Sequence, residues 1–395
     1  MDQNHKFVIY MNINRREVLF LPGPVEMHPD VYHALSLPPL GHRTKEFADT
    51  LKILYDLISE ISGVNVENIL VMFTSGTGVM EAAVRNLVPP KEKVLCLVNG
   101  AFGNRFWEIA KIHGCETIRL EKEWSRAFRK AEVEEALKKH GDVKAITVVH
   151  SETSSGVLNP VREITDVARK YGAITIVDAV SSFLVEEGVP NIGDIVVTAS
   201  QKGIAGPPGI GIIFEQPEIR EREREGSFYL SFAKYREYLA KGQTPCTPPI
   251  NVIYGVIAAL EIIKQVGVNR WISWHKKIWK AINVSLKKIG FVQFPEDGYT
   301  SHALNAFLHE NSETLIDELS KYNIRIAGGI SLLNKKIIRI GAMGWLRWEH
   351  IISLITTIEL ITGAQLGTAL DVAMRELSPE DFPRTESGNT GKPRR

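Results

Sequence analysis

Short apolar runs alternate with amphipathic stretches between about residues 46 and 215. Over Glu46–Ile61 the apolar positions recur every three or four residues, which predicts a helix with one buried side. Buried strands are predicted at seven short runs: Ile69–Phe73, Val94–Val98, Thr117–Leu120, Ala145–Val149, Ala173–Val177, Ile195–Thr198 and Ile210–Phe214. Because several of these runs are apolar at successive positions, both faces of the sheet must be covered. This is typical of a mostly parallel, seven-stranded sheet flanked by helices.

The pattern changes after residue 215, where the chain leads into a smaller second domain. The charge run Glu218–Gly226 predicts a solvated face or a helix start, and the proline-rich stretch Gly242–Pro249 predicts a rigid loop. Further elements are predicted as helices at Asn251–Val266, Trp271–Ile289, Glu313–Lys321 and Trp348–Ile361, and as strands at Ala303–Leu308 and Lys336–Ile340. The predicted fold class is therefore α/β, with a large domain over residues 18–260, a smaller C-terminal α+β domain over 261–377, and a disordered polar tail over 378–395.

Composition adds limits on partners and compartment. The chain has 47 Lys and Arg against 46 Asp and Glu, so there is no basic excess of the kind that nucleic acid or anionic membranes attract. Its 3 cysteines are too few for a disulfide framework, and no two have metal-ligand spacing. The apolar patch Phe7–Met11 is too short for a secretory core or a membrane span. We therefore expect a cytoplasmic protein that binds neither metal, nucleic acid nor membrane.

Polar clusters follow five of the predicted strands directly. They are Thr74-Ser75-Gly76-Thr77, Asn99-Gly100, His150-Ser151-Glu152-Thr153, Asp178 and Ser200-Gln201-Lys202. Because the carboxyl ends of parallel strands meet at one edge of a sheet, these clusters predict one site.

Lys202 and Asp178 are the residues of this edge that point to a particular chemistry. A lysine and an aspartate after neighbouring buried strands can hold pyridoxal phosphate, the lysine as an imine and the aspartate against the ring nitrogen. Ser75, Gly76 and Thr77 precede a helix predicted to begin near Gly78, where hydroxyls and free N–H groups suit a phosphate. Each feature alone has a plainer explanation: a surface lysine, an aspartate at a helix N-cap, and simple capping by Ser75.

Taken together, the motifs resemble the class V, fold-type I pyridoxal-phosphate aminotransferases of the serine–pyruvate and alanine–glyoxylate group. The resemblance covers roughly residues 20–365. It is carried by PGPVEM (22–27), GHRTKEF (41–47), SGTG (75–78), VNGAFGNR (98–105), HSETSSGVLNPV (150–161), VDAVSS (177–182), SQKGIAGPPG (200–209), GQTPCTPP (242–249), IAGG (326–329) and RIGAMG (339–344).

The resemblance implies a role for each matching residue. Lys202 would form the internal aldimine with pyridoxal phosphate and then move the substrate proton, and Asp178 would pair with the pyridine nitrogen. The other implied cofactor contacts are Phe102 stacked on the ring, Thr153 near its phenolic oxygen, and Ser75, Gly76, Thr77 and Gln201 at the phosphate. Arg339 would bind the substrate carboxylate, with Gly23 beside the substrate.

The resemblance also implies a homodimer with a shared active site. Thr247 matches a residue that relatives contribute to the neighbouring subunit's phosphate, and Thr244 occupies a similar loop position. Cys246 departs from the pattern, since many relatives have tyrosine or another polar residue there. The N-terminal segment 1–17 would pack on the smaller domain or on the dimer partner.

Three functions remain open at this point. The first is ping-pong transamination from serine or alanine to glyoxylate or pyruvate. The second is a lyase or desulfurase of the same fold, which is discounted because a desulfurase needs a cysteine in the C-terminal third and the last one is Cys246. The third is a nucleotide-binding doubly wound protein, whose glycine fingerprint is missing. Whether His42 and Arg43 reach the substrate is also open.

Overall fold

The computed structural model describes residues 17–383. Within them the strands are β1 (Val18–Leu19), β2 (Ile69–Met72), β3 (Lys93–Val98), β4 (Glu116–Glu121), β5 (Val143–Val149), β6 (Ser151–Glu152), β7 (Val157–Leu158), β8 (Ile174–Asp178), β9 (Ile195–Ala199), β10 (Gly211–Glu215), β11 (Val292–Gln293), β12 (Leu304–Leu308), β13 (Ile324–Arg325), β14 (Ala327–Gly328) and β15 (Ile337–Gly341). The α-helices are α1 (Pro29–Leu35), α2 (Lys45–Ser62), α3 (Gly76–Leu87), α4 (Ala101–Ile112), α5 (Lys130–His140), α6 (Val161–Lys170), α7 (Phe232–Leu239), α8 (Ile250–Val266), α9 (Val268–Lys288), α10 (Ser312–Lys321), α11 (Trp348–Thr362) and α12 (Thr368–Glu376).

The large sheet has seven strands in the order β2-β10-β9-β8-β5-β3-β4. All neighbours pair in parallel except at β10, which runs antiparallel to both β2 and β9. Strands β2, β8 and β9 are buried at every position, as expected for strands covered on both faces. The predicted α/β fold with a mostly parallel seven-stranded sheet is confirmed, and six strands deliver their carboxyl ends to one edge.

The second sheet is smaller, with the antiparallel order β11-β12-β15-β14. Helices α9, α10, α11 and α12 pack with it around a core that includes Trp274, Phe307 and Ile355. Phe20 belongs to this core, and β1 pairs in parallel with β13. Residues 18–20 thus pack with the smaller sheet, although the sequence assigns them to the large domain; the predicted boundary near residue 260 stays a prediction.

Two further segments differ from their predictions or refine them. The charge run forms a 3-10 helix at Pro217–Arg222. Residues 378–383, predicted as the start of a disordered tail, lie against α9, where the ring of Phe382 is 5.3 Å from that of Trp274. The rest of that tail, 384–395, and the N-terminal residues 1–16 lie outside the described residues.

Among residues 17–383 no single helix is long and apolar enough to cross a membrane. Helices α8 and α9 reach that length and composition only as a pair, which bends by 92° between them.

Candidate active site

A cavity of about 320 Å³ opens at the edge where the parallel strands end. It is lined by Gly23, Pro24, Ser75, Gly76, Thr77, Met80, Phe102, Arg105, Thr153, Asp178, Val180, Gln201, Lys202 and Pro208. Nine of the residues predicted for the site are in this wall: Gly23, Ser75, Gly76, Thr77, Phe102, Thr153, Asp178, Gln201 and Lys202. Residues that follow β2, β3, β5, β8 and β9 therefore meet as the topology of a parallel sheet requires, although Asn99 and Gly100, the cluster predicted after β3, do not line the cavity.

Lys202 follows β9 and is 7% exposed. Its Nζ donates to the carbonyl oxygen of Pro22 and, at 3.1 Å, to Ser181 Oγ. Burial lowers the pKa of Lys202 to about 8, because a buried ammonium loses its hydration, while the Asp178 carboxylate opposes that shift. Gly23 makes room for this side chain, since a Cβ there would lie 2.5 Å from Lys202 Cε.

Asp178 ends β8 and is 4% exposed. Its Oδ1 accepts a hydrogen bond from Val180 N at 2.8 Å, and no described residue donates to its other oxygen. Burial raises the pKa of Asp178 to about 6, against the opposing charges of Lys202 and Arg105. The plainer explanation as a helix N-cap does not hold, because residues 180–185 form turns.

Thr153 belongs to a hydroxyl pair that the sequence prediction missed. Its Oγ1 lies 2.5 Å from Ser181 Oγ, which also accepts from Lys202. Ser181 is part of the VDAVSS motif, three residues after Asp178, but nothing in its type or spacing signalled a contact with Lys202. The pair connects the end of β5 to the lysine, so it fixes the direction of Nζ.

Glu152 holds the backbone of Phe102 at the start of α4 and was likewise given no separate role. The carboxylate is fully buried and accepts from Phe102 N at 3.2 Å, from Gly103 N at 3.1 Å and from Ser154 Oγ at 2.5 Å. These bonds satisfy N–H groups at the start of α4. A Cβ at Gly100 would lie 2.2 Å from this carboxylate, so the glycine permits the close approach.

The start of α3 lines the same cavity. The helix begins at Gly76, two residues before the predicted start, with Ser75 as N-cap accepting from Gly78 N at 3.3 Å. Thr77 Oγ1 accepts from Arg105 Nη1 at 2.8 Å. The buried Oε1 of Gln201 is an acceptor without a hydrogen-bond partner among the described residues, so it offers nothing to a phosphate oxygen. The N–H groups and the dipole at the start of α3, beside the Arg105 cation, suit a phosphate.

Arg339 lies just outside the cavity wall, on strand β15 of the smaller sheet. It is 7% exposed, and its Nη1 donates to Thr153 O at 3.0 Å and its Nε to Gly328 O at 2.8 Å. Burial lowers its pKa to about 10. No carboxylate of the described residues forms an ion pair with it, although β15 is an inner strand where burial makes an unpaired cation costly. Arg339 is thus connected to the cavity wall by its hydrogen bond to Thr153 O.

Thr244 and Thr247 do not line the cavity of their own chain. Thr244 is buried and donates to Cys246 O at 2.8 Å, whereas Thr247 is exposed. Arg43 holds this loop by donating to Gln243 Oε1 at 2.9 Å and to Thr244 O at 3.0 Å. Neither His42 nor Arg43 lines the cavity. A contribution of the two threonines to a neighbouring subunit's site stays a prediction.

The wall fits pyridoxal phosphate, the cofactor that the resemblance implies. The buried amine of Lys202 suits the aldehyde, and the free oxygen of Asp178 suits a protonated ring nitrogen. The N–H groups at the start of α3 suit the phosphate. A protonated ring nitrogen would give the second oxygen of Asp178 the donor that the described part of the protein does not supply.

Comparisons with known proteins agree with this geometry. An uncharacterized aminotransferase of Methanocaldococcus jannaschii is 36% identical over 359 residues, which cover 87% of this chain and 92% of that protein. The serine–glyoxylate aminotransferase of Methylorubrum extorquens is 27% identical over 370 residues, covering 87% and 90%. The solved alanine–glyoxylate aminotransferase of Nostoc sp. superposes with a TM-score of 0.83 at 28% identity, covering 88% of this chain and 95% of that chain.

The family model for aminotransferase class-V matches residues 34–347, which include every predicted site residue except Gly23. The family and its solved structures imply pyridoxal phosphate as cofactor and exclude the nucleotide-binding alternative. This protein is therefore a fold-type I enzyme that belongs to the class-V aminotransferase family.

Proposed function

We propose that the enzyme transfers the amino group of serine or alanine to glyoxylate or pyruvate by a ping-pong mechanism. The observation that carries this proposal is the joint placement of buried Lys202 and Asp178 in one cavity, with the unpaired Arg339 one contact away. The relatives that are named for serine–glyoxylate and alanine–glyoxylate transfer support glyoxylate as an acceptor.

Different residues of the cavity wall would hold different parts of the cofactor. When bound, pyridoxal phosphate supplies an aldehyde that condenses with amines and a ring that withdraws electrons. Asp178 would hold a proton on the ring nitrogen, and Phe102 would cover one face of the ring. Gly76 and Gln201 would bind the phosphate at the other end.

Lys202 Nζ would remove the proton from the substrate's α-carbon. With a pKa of about 8, about a tenth of the amine is neutral at pH 7, whereas an exposed lysine would be almost entirely protonated. Burial therefore brings this group close to the pKa that suits a general base at neutral pH. Ser181 Oγ and Pro22 O accept hydrogen bonds from Nζ and orient it.

Arg339 would bind the α-carboxylate of the amino or oxo acid. A planar guanidinium matches a carboxylate in a bidentate way, and Arg339 has no ion-pair partner among the described residues. The other arginine at the site, Arg105, lies at the far end against Thr77. A substrate with one carboxylate and a short side chain therefore fits better than a dicarboxylic acid.

We also propose a cytoplasmic homodimer in which the loop of Thr244 and Thr247 completes the neighbouring subunit's site. The exposed position of Thr247, outside the cavity of its own chain, supports this arrangement. Size-exclusion chromatography with light scattering would report a dimer, and a monomer with full activity would contradict the shared site.

A desulfurase-type reaction is the weaker alternative, because it needs a reactive thiol at the site. Burial raises the pKa of Cys96 to about 12 and that of Cys115 to about 11. None of Cys96, Cys115 and Cys246 lines the cavity. The thiols of the described chain are therefore either inert or remote from Lys202.

The deciding experiment is a panel of donors against acceptors. Serine, alanine, aspartate and cysteine would each be offered with glyoxylate, pyruvate and 2-oxoglutarate, and the new amino acid and oxo acid would be quantified together. We expect serine or alanine with glyoxylate or pyruvate to be fastest. Sulfide or ammonia released without a new amino acid would contradict transamination.

A further inference from the structure

We infer that Arg105 is a ligand of the cofactor phosphate and that its charge gives the site its preference for a phosphorylated ring. The inference rests on the proposed use of pyridoxal phosphate by this site. Arg105 lines the cavity wall, and the sequence analysis assigned no role to it.

Arg105 lies one helical turn after Phe102 on α4 and lines the same cavity. Its Nη1 donates to Thr77 Oγ1 at 2.8 Å, and its Cζ lies 4.7 Å from the centroid of the Phe102 ring. These two contacts hold the guanidinium between the start of α3 and the stacking ring. The side chain is therefore fixed at the phosphate end.

The remaining capacity of Arg105 is unused. A guanidinium has several N–H donors, and only one side-chain bond of Arg105 is formed within residues 17–383. No described carboxylate forms an ion pair with it. The nearby Arg119, in contrast, donates to Glu121 at 3.0 and 3.1 Å and to Asn104 at 2.6 Å. Arg105 is thus a cation with free donors that faces a cavity.

Charge balance shows why this end needs a full cation. A phosphate monoester carries about −1.5 to −2 charges near pH 7. A helix N-terminus offers roughly half a positive charge, so the start of α3 leaves most of that charge unmatched. Lys202 is the other cation in the described cavity wall, and it is committed to the aldehyde. Arg105 is the group that remains.

Arg105 is better placed for phosphate than for a substrate carboxylate. Its side-chain partner is Thr77, the second residue of α3. Arg339 does not line the cavity and contacts Thr153 instead. The two arginines therefore have different partners, Thr77 for Arg105 and Thr153 for Arg339, and would bind different anionic groups.

The test compares two ligands that differ only in the phosphate. The full-length chain, freed of cofactor, would be titrated with pyridoxal phosphate and with pyridoxal, following the imine absorption at equilibrium. For Arg105→Gln we expect the dissociation constant for pyridoxal phosphate to rise roughly 30-fold. This is the lower end of the range of affinity losses that follow removal of one partner of a charged pair. The constant for pyridoxal should change less than about twofold, since only the phosphate loses its partner.

Two further variants keep the result interpretable. Arg105→Lys should recover part of the preference for pyridoxal phosphate over pyridoxal, because lysine restores the positive charge but lacks the planar guanidinium that binds phosphate through two N–H groups. Lys111→Gln removes an exposed cation from the same helix and should leave both constants unchanged. Thermal melting would show whether each variant is folded.

Several results would overturn the inference. Equal weakening of both ligands would mean that Arg105 only supports Phe102. Unchanged binding of pyridoxal phosphate would remove Arg105 from the phosphate site. Because these titrations need no turnover, they are independent of whether the donor panel shows transamination.

Discussion

Two buried aspartates lie at opposite ends of neighbouring strands of the large sheet, and the protein treats them differently. Asp194, just before β9, accepts from Arg169 at 2.8 and 3.0 Å and from Thr175 N and Oγ1 at 2.7 and 2.9 Å. Asp178, at the end of β8, has one backbone donor, and its pKa is raised to about 6. Donors of the protein thus satisfy the carboxylate of Asp194, whereas the carboxylate of Asp178 lacks a donor to one of its oxygens.

The arginines show the same contrast. Arg236 is paired with both Glu215 and Glu223 at 2.5 Å. Arg339 is buried but donates only to carbonyl oxygens. Charges that are paired with opposite charges hold the fold together, whereas buried charges without an opposite partner mark where a ligand completes the set. The comparison therefore separates structural charges from functional ones, and substitutions can test it.

The largest effect is expected at Lys202. Lys202→Ala should abolish turnover and the yellow imine absorption, because no other described amine lines the cavity. Turnover and the absorption spectrum would be measured together. The control is Lys144→Ala, an exposed lysine on β5 that pairs with Asp142. Residual transamination in Lys202→Ala would remove this lysine from the mechanism.

Asp178→Asn should keep cofactor binding but slow turnover by about 10²- to 10³-fold, the range found when one preorganised electrostatic partner is lost. The amide cannot hold a proton on the ring nitrogen. Its thermal stability should not fall, because the carboxylate it replaces is buried with one donor. A kcat equal to the parent's would refute the electron-withdrawing role of the ring.

Arg339→Ala should weaken binding of every amino and oxo acid by about 2–5 kcal/mol, the usual cost of truncating one member of a buried charged pair. The Michaelis constants for donor and acceptor would be measured at saturating cofactor. Arg325→Ala offers a control, since that residue is paired with Glu17 away from the cavity. Unchanged constants would place Arg339 outside the site.

Asp194→Asn should lower stability and leave turnover nearly unchanged, which is the opposite of the result expected for Asp178→Asn. It should lower the free energy of unfolding by about 1.5–3 kcal/mol, since hydrogen bonds to a charged group are lost. Water screens the ion pair with Arg169, whose side chain is 54% exposed, so the loss stays within this range. The kcat of the folded fraction should stay near the parent value. Denaturant unfolding would be measured beside activity, and a loss of kcat without a loss of stability would reverse the assignment of the two aspartates.

The mildest effect is a dependence on pH. The neutral amine of Lys202 is the form that would capture the cofactor, and burial lowers the pKa of Lys202 from an ordinary 10.5 to about 8. The capture rate of cofactor-free protein should therefore rise about tenfold per pH unit below pH 8 and level off above it. Stopped-flow absorbance would follow capture. Nα-acetyl-lysine in solution should level off only near pH 10, and the same behaviour in the protein would show a solvated lysine.

Much of the fold was predictable because apolar runs and their ends are local signals. The helix predicted at Glu46–Ile61 spans Lys45–Ser62, with Thr44 accepting from Phe47 N and Gly63 in the left-handed conformation. Strand direction is not local, so the antiparallel course of β10 had no signal in its sequence. The packing of Phe20 on the smaller sheet depends on a partner strand, β13, about 300 residues away in sequence.

The site residues likewise differ in whether the sequence alone could predict them. Asp178 and Lys202 were predictable because a strand end fixes their position. Arg105 and Ser181 were missed because their roles depend on side-chain contacts with Thr77 and Thr153, which lie on other elements far away in sequence. The sequence could place Arg339 by its motif alone, and its missing partner is visible only once the surrounding charges are in position.

The segment that follows β1 has a mechanical consequence. Leu19 pairs with Arg325 of β13, Phe20 packs into the core of the smaller sheet, and two residues later the carbonyl of Pro22 accepts from Lys202 Nζ. Because this link is only a few residues long, a tilt of the smaller sheet would shift the carbonyl against which the amine is held. The placement of Lys202 is therefore coupled to the packing of the smaller core.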